Sequence, residues 1–446
     1  MNNNKAFSLF DFNKKRGAKV ELYVEETIDN EGNIIPFIEQ AALVTHFLQL
    51  QNKGHKLPYA RKAEDILNLW CEHIVGKQTD SKSSSDYVSD SGIAIQGYLF
   101  PELFQAPFQA QANPKFTFID LFAGIGGFRM ALQNLGGECV FSSEWDEQAR
   151  KTYYANYGDV PFGDITKEST KNCIPKGFDI LCAGFPCQAF SLAGKKLGFA
   201  ETRGTLFFDV AEILRRYQPK AFFLENVKGL AIHDKGKTLK TILNTLDEVG
   251  YDVPNPEIVN AMYFGVPQHR ERIYIVGFRN DLGIKKEEFV YPEQKEVTKK
   301  WIDVREENPV PAKYYLSTTY QQTLINHKAR HAAKGNGFGY DIIPDDGIAH
   351  AIVVGGMGRE SNLVIDFRQT DLTPTTNIKG TVNTDGWRKM TPREWARLQG
   401  YPDDFKIVVA DASAYKQFGN SVAVPAIQAT AEQLLKPLKE HGFIRK

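Results

Sequence analysis

Residues 116–129, FTFIDLFAGIGGFR, begin with a short apolar run and pass through a turn of small residues into a helical pattern. The apolar run 116–122 predicts a buried strand, and the glycines after it predict a tight turn that opens a helix over 127–135. Such a turn lets backbone N–H groups approach a ligand at the helix N-terminus. The spacing of Gly124, Gly126 and Gly127 is shorter than the full dinucleotide-binding motif. A packing turn and a nucleotide-type site therefore both stay open on spacing alone.

The same alternation of apolar runs and helical stretches continues along the chain. Further strands are predicted at 138–143, 179–185, 220–226 and 272–278, with helices at 205–217 and 237–249. This alternation predicts an α/β domain with a mostly parallel, Rossmann-like sheet and helices on both faces. Ligands of such sheets bind beyond the carboxyl ends of the strands.

The pattern changes on either side of this α/β core. Apolar residues at helical spacing predict a helical N-terminal extension over 1–75, either two core helices or a helix-turn-helix that touches DNA. A Ser- and Asp-rich stretch favours a linker within 76–115. The core itself is expected over 116–285. A lobe of Gly-rich turns and short strands follows over 286–388, and residues 389–446 are again helical, with a last helix near 421–436.

Composition sets limits on the class of protein. Among 446 residues, 54 Lys and Arg balance 54 Asp and Glu, so any nucleic-acid site must be a local cleft rather than a global positive field. Five scattered cysteines exclude a disulfide framework, and their spacing predicts no zinc site. No apolar run reaches membrane-spanning length and the start has no signal-peptide pattern, so we expect a soluble, cytoplasmic protein.

Three residues strengthen the case for a nucleotide-type ligand. Glu144 ends the second predicted strand about 20 residues after the glycine turn, where a carboxylate can accept hydrogen bonds from both ribose hydroxyls. Trp145 offers a flat face to an adenine or a sulfonium cation. Asp164, where a third strand is expected to end, could accept from an adenine amino group or could cap the residues after it.

Cys187 follows a buried strand and Pro186, at the rim where ligands bind. A buried structural cysteine is the alternative. A catalytic thiol needs nearby positive charge, which Arg270 and Arg272 could supply if they are not ordinary surface charges. Glu225 ends another buried strand, so it is either part of a structural salt bridge or an acid with a raised pKa.

The segment 191–205 is Gly-rich and basic, which favours a mobile loop that meets phosphates over a plain solvated loop. Five blocks then occur in one order: FIDLFAGIGGFR, GFPCQAFS, ENVKG, PQHRERIY and QFGNS. Together they resemble the DNA (cytosine-5)-methyltransferases of bacterial type II restriction–modification systems. The resemblance covers about 116–280 and 387–436.

The resemblance implies S-adenosyl-L-methionine as cofactor, S-adenosyl-L-homocysteine as product and no metal. It implies that residues 389–446 return to the catalytic domain and pack beside the cofactor turn. The expected cofactor-binding residues, from the residues and the resemblance together, are Phe122, Gly124, Gly126, Glu144, Trp145, Asp164, Ile165, Pro186, Leu206 and Asn420.

The resemblance also implies the catalytic roles. Cys187 matches the nucleophile that adds to cytosine C6, and Glu225 matches the carboxyl group that engages N3 and the amino group. Arg272 matches the arginine that holds the base and Glu225, and Arg270 the one near the nucleophile. Because the target ring is shielded inside a duplex, the base must be flipped out.

The lobe 286–388 would then be the target-recognition domain. Over 311–386 it has seven Lys and Arg against seven Asp and Glu, so average charge does not locate the DNA contact. The segment 327–340, HKARHAAKGNGFGY, is the main candidate, with a solvated helix and turn as the alternative. Arg359 is a second candidate, for guanine readout. The expected DNA-binding residues are Ser191, Lys195, Lys196, Arg203, Lys328, Arg330, Lys334, Asn336 and Arg359.

Two other functions remain as alternatives at this point. A tRNA cytosine-5 methyltransferase shares the fold, but its Cys-Phe-Thr signature is absent from the sequence. A catalytically silent DNA-binding regulator would have lost Cys187, Glu225 or the arginines, all of which are present. We therefore expect double-stranded DNA as partner, a monomer associated with the nucleoid, no membrane, and a cognate restriction endonuclease that shares the site.

Overall fold

A central sheet and its covering helices organise the chain, and the computed structural model describes residues 35–76, 105–186, 206–355, 357–375 and 380–445. The strands are β1 Phe116–Leu121, β2 Gly137–Ser143, β3 Ile180–Gly184, β4 Ala221–Val227, β5 Tyr251–Asp252, β6 Glu257–Asn260, β7 Gln268–His269, β8 Glu271–Arg279, β9 Ala349–His350, β10 Leu363–Ile365 and β11 Trp387–Lys389. The α-helices are α1 Phe37–Leu50, α2 Ala60–Gly76, α3 Gly127–Asn134, α4 Glu147–Tyr157, α5 Glu168–Lys171, α6 Leu206–Tyr217, α7 Lys237–Glu248, α8 Thr318–Ala332, α9 Pro392–Leu398, α10 Asp411–Asn420 and α11 Val424–Glu440.

The main sheet has seven strands within the described ranges, in the order β2-β1-β3-β4-β8-β5, and β6 also pairs with β8. Strands β2, β1, β3 and β4 run parallel, whereas β8 runs antiparallel to β4. The predicted α/β class with a mostly parallel sheet is confirmed. Strand β8 is the exception, since it lies between β4 and β5 and runs antiparallel to both.

Alternate residues of the central strands face two different apolar cores, as the two-residue period of a strand requires. One core includes Phe118, Cys182, Phe223 and Val276 and is covered by residues of α3 and α11. The opposite core includes Ile119, Leu181, Leu224 and Ile275 and is covered by α6 and α7. Both faces of the sheet are therefore buried, which explains why its strands are continuous apolar runs.

Helices α1 and α2 confirm the two helices predicted for the N-terminal region, but they have no core of their own. Nine of the fourteen residues of α1 are buried, and the six apolar ones among them join the core that α6 and α7 cover. The two helices thus complete one layer of the α/β domain. The pair buries its apolar residues against the sheet, as the prediction of two core helices requires.

Residues 286–388 contain the 15-residue helix α8 and the short strands β9 to β11, so this lobe is not only loops and strands. Its buried Arg388 pairs with Asp366 (3.0 Å) and with Glu394 of α9 (2.8 Å). Helix α11 then returns to α3, where Asn134 Nδ2 donates to Gln428 Oε1 (3.0 Å). None of the helices in the described ranges is both long and apolar enough to cross a membrane.

Candidate active site

Three residues directly after β1 have backbone dihedral angles in the left-handed region. Phe122 has φ 55°, Gly124 has φ 56° and Gly126 has φ 84°. A bulky residue in this region is strained, and such strain clusters at functional sites. A Cβ added at Gly124 would meet nothing within 4 Å. The turn therefore leaves open space beside Gly124, where a ligand could approach the backbone.

Glu144 holds this turn from the end of β2. Its Oε2 accepts from the Gly124 backbone N–H (2.8 Å) and its Oε1 from that of Asp146 (2.7 Å). Burial raises the pKa of Glu144, against the opposing effect of these N–H donors. Trp145 follows with 81% of its surface exposed, which is unusual for so large an apolar side chain. A buried acid and an exposed aromatic ring thus stand side by side above the turn.

Asp164 lies at the same edge of the sheet, because Phe162, two residues before it, pairs with the end of β2. Glu144 N donates to Phe162 O (2.8 Å), and a single parallel bridge joins Ser143 to Phe162 in place of the predicted third strand. Asp164 Oδ1 accepts from Thr166 N (3.0 Å) and Thr166 Oγ1 (2.8 Å), and its contact with an adenine amino group stays a prediction. Its neighbour Ile165 is buried.

The second part of the site lies where β3 and β4 end and the antiparallel strand β8 begins. Arg272 Nε lies 3.0 Å from Glu225 Oε1, and both side chains are largely buried. A Cβ added at Gly184, the last residue of β3, would lie 3.7 Å from Glu225 Oε2. Asn226 Nδ2 donates to Phe185 O (2.8 Å), which fixes the end of β3 against the end of β4.

Pro186, which directly precedes Cys187, is exposed. Leu206 is half-buried at the start of α6. The predicted nucleophile and four predicted DNA contacts lie outside the described residues. These are Cys187, Ser191, Lys195, Lys196 and Arg203.

Arg270 connects three parts of the chain. Its guanidinium donates to Ile352 O (2.9 Å), Gly419 O (3.3 Å) and Ser421 O (2.6 Å), and the side chain is buried. Burial and the neighbouring Arg272 lower the pKa of Arg270. The structure therefore shows Arg270 as a tie between the second lobe and the C-terminal segment. Its predicted place near the nucleophile stays a prediction.

The C-terminal segment joins the two parts of the site. A Cβ added at Gly127 would lie 2.6 Å from Val422 Cγ2, and one added at Gly184 would lie 3.9 Å from Val422 Cγ1. Val422 thus sits between the glycine turn and the Glu225 region. Asn420, exposed at the end of α10, is two residues before it. The packing beside the glycine turn agrees with what the resemblance implied.

The described candidates for DNA contact lie on α8 and the residues after it. Lys328 Nζ lies 4.7 Å from the centre of the Tyr340 ring, while Arg330 and Lys334 are exposed. Asn336 Oδ1 is 2.9 Å from His331 Nδ1, so this turn folds back on its helix. The segment forms a solvated helix followed by a turn, and its contact with DNA stays a prediction. Arg359 is exposed and lies over the Tyr415 ring at 5.4 Å.

Several residues of the site were not singled out from the sequence. Tyr157 OH donates to Gly126 O (2.7 Å), Asn226 fixes Phe185, and Gln268 Nε2 donates to Leu398 O (2.8 Å). Asn226 and Gln268 lie in ENVKG and PQHRERIY, two of the blocks that carry the family resemblance. Their place in these blocks was the sequence feature that could have indicated a role in the site. Their partners are distant in sequence and could not be predicted. In the described part of the chain, no cluster of His, Cys, Asp or Glu side chains is suited to a metal ion.

The sheet is mostly parallel, and a turn strained at Phe122 and a buried Glu144 lie after β1 and β2. The Glu225–Arg272 pair lies on β4 and β8. Together these features define a methyltransferase-type enzyme. The sequence profile of the C-5 cytosine-specific DNA methylases matches residues 116–436. The chain belongs to this family.

Type II methyltransferase M.HpaII of Haemophilus parainfluenzae is 71% identical over 336 residues, which cover 74% of this chain and 93% of that protein. Type II methyltransferase M.HhaI of Haemophilus parahaemolyticus is 43% identical, over 70% of this chain and 92% of its own. These relatives and the family identify a DNA (cytosine-5)-methyltransferase of the bacterial type II restriction–modification class. The RNA-methylating and silent-regulator alternatives are therefore not favoured.

Solved structures agree on the fold. The Entamoeba histolytica methyltransferase EhMeth has a TM-score of 0.53 at 20% identity and matches 73% of this chain and 99% of its own. The S. pombe Dnmt2 methyltransferase has a TM-score of 0.50 at 20% identity, with the same coverage. At this identity the likeness concerns the fold alone.

Proposed function

We propose that this enzyme transfers a methyl group from S-adenosyl-L-methionine to C5 of a cytosine flipped out of a short duplex recognition sequence. Transfer would proceed through a covalent bond between Cys187 Sγ and cytosine C6. The observation that carries the proposal is the buried Glu225–Arg272 pair, which lies on the same sheet rim as the strained turn at Phe122. Methylation of the site would protect host DNA from a cognate restriction endonuclease.

The rim beside β1 and β2 has the chemistry that this methyl donor requires. The Glu144 carboxylate can accept from ribose hydroxyls, and the exposed Trp145 face can stack on the adenine or lie against the sulfonium. Asp164 would accept from the adenine amino group, with the open backbone at Gly124 beside the ligand. When bound, S-adenosyl-L-methionine supplies an electrophilic methyl group. The other residues that we assign to this site are Phe122, Gly126, Ile165, Pro186, Leu206 and Asn420.

The catalytic steps follow from the need to activate C5, which is a weak nucleophile in cytosine. The Cys187 thiolate adds to C6 while Glu225 protonates N3 or donates a hydrogen bond to it, so electron density moves to C5. Arg272 holds Glu225 and the base, and Arg270 and Arg272 supply positive charge near the thiol. C5 then accepts the methyl group, which leaves S-adenosyl-L-homocysteine as the other product. A base removes the C5 proton, the C6–S bond breaks to return the Cys187 thiolate, and N3 returns its proton to Glu225.

The second lobe, 286–388, would read the target sequence while 116–285 and 389–446 perform the chemistry. Phosphate contacts position such an enzyme and base contacts specify its site. Lys328, Arg330, Lys334 and Asn336 are proposed around the turn after α8, and Arg359 for guanine readout. The loop 188–205, with Ser191, Lys195, Lys196 and Arg203, would close over the flipped base.

A mechanism-based trap tests the covalent step. A random-sequence duplex that contains 5-fluorodeoxycytidine blocks the final elimination, because fluorine at C5 cannot leave as a proton does. With the methyl donor present, the wild type should form a protein–DNA adduct that survives denaturing electrophoresis. Cys187→Ser should form none, and Cys173→Ser should behave as the wild type. An adduct of normal yield in Cys187→Ser would refute Cys187 as the nucleophile.

A further inference from the structure

Residues 157–163 lead directly to Asp164 and run between helix α1 and the edge strand β2. On the β2 side, Phe162 N donates to Ser142 O (2.8 Å) and Glu144 N donates to Phe162 O (2.8 Å). On the other side lies α1, which is outside the residues 116–436 that the family profile matches. The segment therefore links this additional helix to both carboxylates of the proposed cofactor site.

Side chains along α1 hold the segment by its backbone. Gln49 Nε2 donates to Tyr157 O (2.8 Å), and Val160 N donates to Thr45 Oγ1 (3.0 Å). The His46 ring packs on the Phe162 ring with centroids 4.7 Å apart. Buried backbone groups need such partners, and here α1 provides them to a stretch that forms only one β-bridge.

The contact nearest to the proposed cofactor site is made by Glu39. Its Oε2 accepts from Gly163 N (3.0 Å), and its Oε1 accepts from Arg150 Nη1 (2.7 Å). A Cβ added at Gly163 would lie 2.6 Å from Glu39 Oε1. The absence of a side chain at Gly163 thus leaves room for this carboxylate, one residue before Asp164.

We propose that Glu39 is a positioning residue for methyl-donor binding. By fixing the Gly163 backbone, it sets where the Asp164 carboxylate stands relative to Glu144. Without Glu39, the buried N–H of Gly163 lacks its acceptor and the segment gains freedom that donor binding must then remove. The effect falls on donor affinity rather than on DNA binding or methyl transfer. The inference rests on the proposed cofactor site.

Calorimetric titration of the full-length protein with S-adenosyl-L-methionine and S-adenosyl-L-homocysteine tests this role. Glu39→Ala should raise both dissociation constants about tenfold, the effect of losing one buried hydrogen-bond acceptor. Glu39→Gln keeps an acceptor oxygen and should recover most of the affinity. The KM for the donor should follow its Kd, while kcat at saturating donor and the Kd for DNA stay as in the wild type.

Lys53→Met is the matched control, because Lys53 Nζ pairs with Glu138 Oε1 (2.6 Å) near the start of β2. This contact also joins the N-terminal region to β2, but roughly 20 Å along the strand from Glu144. It should lower thermal stability without changing donor affinity. An equal loss of donor affinity in Lys53→Met would show a general stability effect and overturn the proposal.

Asp164→Ala separates this proposal from the one on which it depends. If Asp164→Ala binds the donor normally, the proposed cofactor arrangement is wrong. If Asp164→Ala weakens binding but Glu39→Ala does not, the cofactor site stands and the role of α1 is refuted. Should Glu39→Ala fail to fold, Gly163→Ala displaces the same carboxylate. Normal donor affinity in Gly163→Ala would then overturn the proposal.

Discussion

Glu225 is 8% exposed and has the Arg272 guanidinium beside its carboxyl group. Glu225→Gln keeps the shape of the side chain but removes both the charge and the acidic proton. Because general acid catalysis typically contributes 10²–10⁴-fold, single-turnover methyl transfer should slow by about that factor. Donor affinity should be unchanged, and the exposed Glu248→Gln should transfer at the wild-type rate. Near-normal transfer by Glu225→Gln would remove Glu225 from the mechanism.

Asp120 is a second unusual residue, buried one residue before the end of β1. Its two carboxyl oxygens lack a hydrogen-bond partner of normal geometry among the described residues, and burial raises its pKa to about 8. The unfolded chain releases this proton near pH 4, so between about pH 4 and 8 the folded state binds more protons and its stability falls as pH rises. Asp120→Asn removes this dependence.

From pH 5 to pH 8, the free energy of unfolding of the wild type should therefore fall by a few kcal/mol more than that of Asp120→Asn. The amide can cost stability of its own, so the change with pH is the test rather than the value at one pH. Urea unfolding at both pH values measures it. Parallel pH profiles for the two proteins would show that Asp120 is ionised in the folded state.

At the scale of elements, the return of the C-terminal segment to helix α3 shapes the glycine turn. Gly127 starts α3, and a Cβ there would lie 2.6 Å from Val422 Cγ2 and 2.9 Å from Tyr401 OH. Gly127→Ala should therefore destabilise the fold by about 1–3 kcal/mol, the usual cost of overpacking. The added methyl group would also displace Ser421 and Val422, which directly follow Asn420. Because Asn420 is a proposed cofactor residue, the substitution should weaken donor binding as well.

Gly229→Ala is the control for this substitution, since nothing lies within 4 Å of its added Cβ. Thermal unfolding compares the two variants, and Gly229→Ala should stay close to the wild type. Equal stability of Gly127→Ala and Gly229→Ala would mean that the C-terminal segment does not pack closely against the glycine turn.

At the scale of the whole molecule, the two lobes are joined by buried hydrogen bonds rather than by a simple linker. Arg270 donates to Ile352 O in the second lobe and to Ser421 O in the C-terminal segment. Gln268 Oε1 accepts from Ile352 N (3.0 Å), and its Nε2 donates to Leu398 O. The block PQHRERIY thus ties the lobe expected to read DNA to the sheet that holds Glu225.

The local alternation of apolar runs and glycine turns was enough to predict five of the seven strands of the main sheet. Strands β5 and β6 were not predicted, because two to four residues are too few to show a period. The antiparallel course of β8 was not predictable, because an apolar strand has the same period in either direction. The role of Arg270 also escaped, since its carbonyl partners come from segments 82 and 151 residues away. For α1, helical spacing predicted the helix but not its partner, because Glu39 and Gly163 are 124 residues apart.

Whole-genome bisulfite sequencing tests the central claim most directly. The protein and its Cys187→Ser variant would be expressed in a bacterial host that lacks cytosine methylation. We predict one short motif protected at every occurrence with the wild type and none with the variant. The absence of any protected motif from cells with folded protein that binds the methyl donor would contradict cytosine-5 methylation of DNA. Protection that persists in Cys187→Ser would contradict the covalent mechanism.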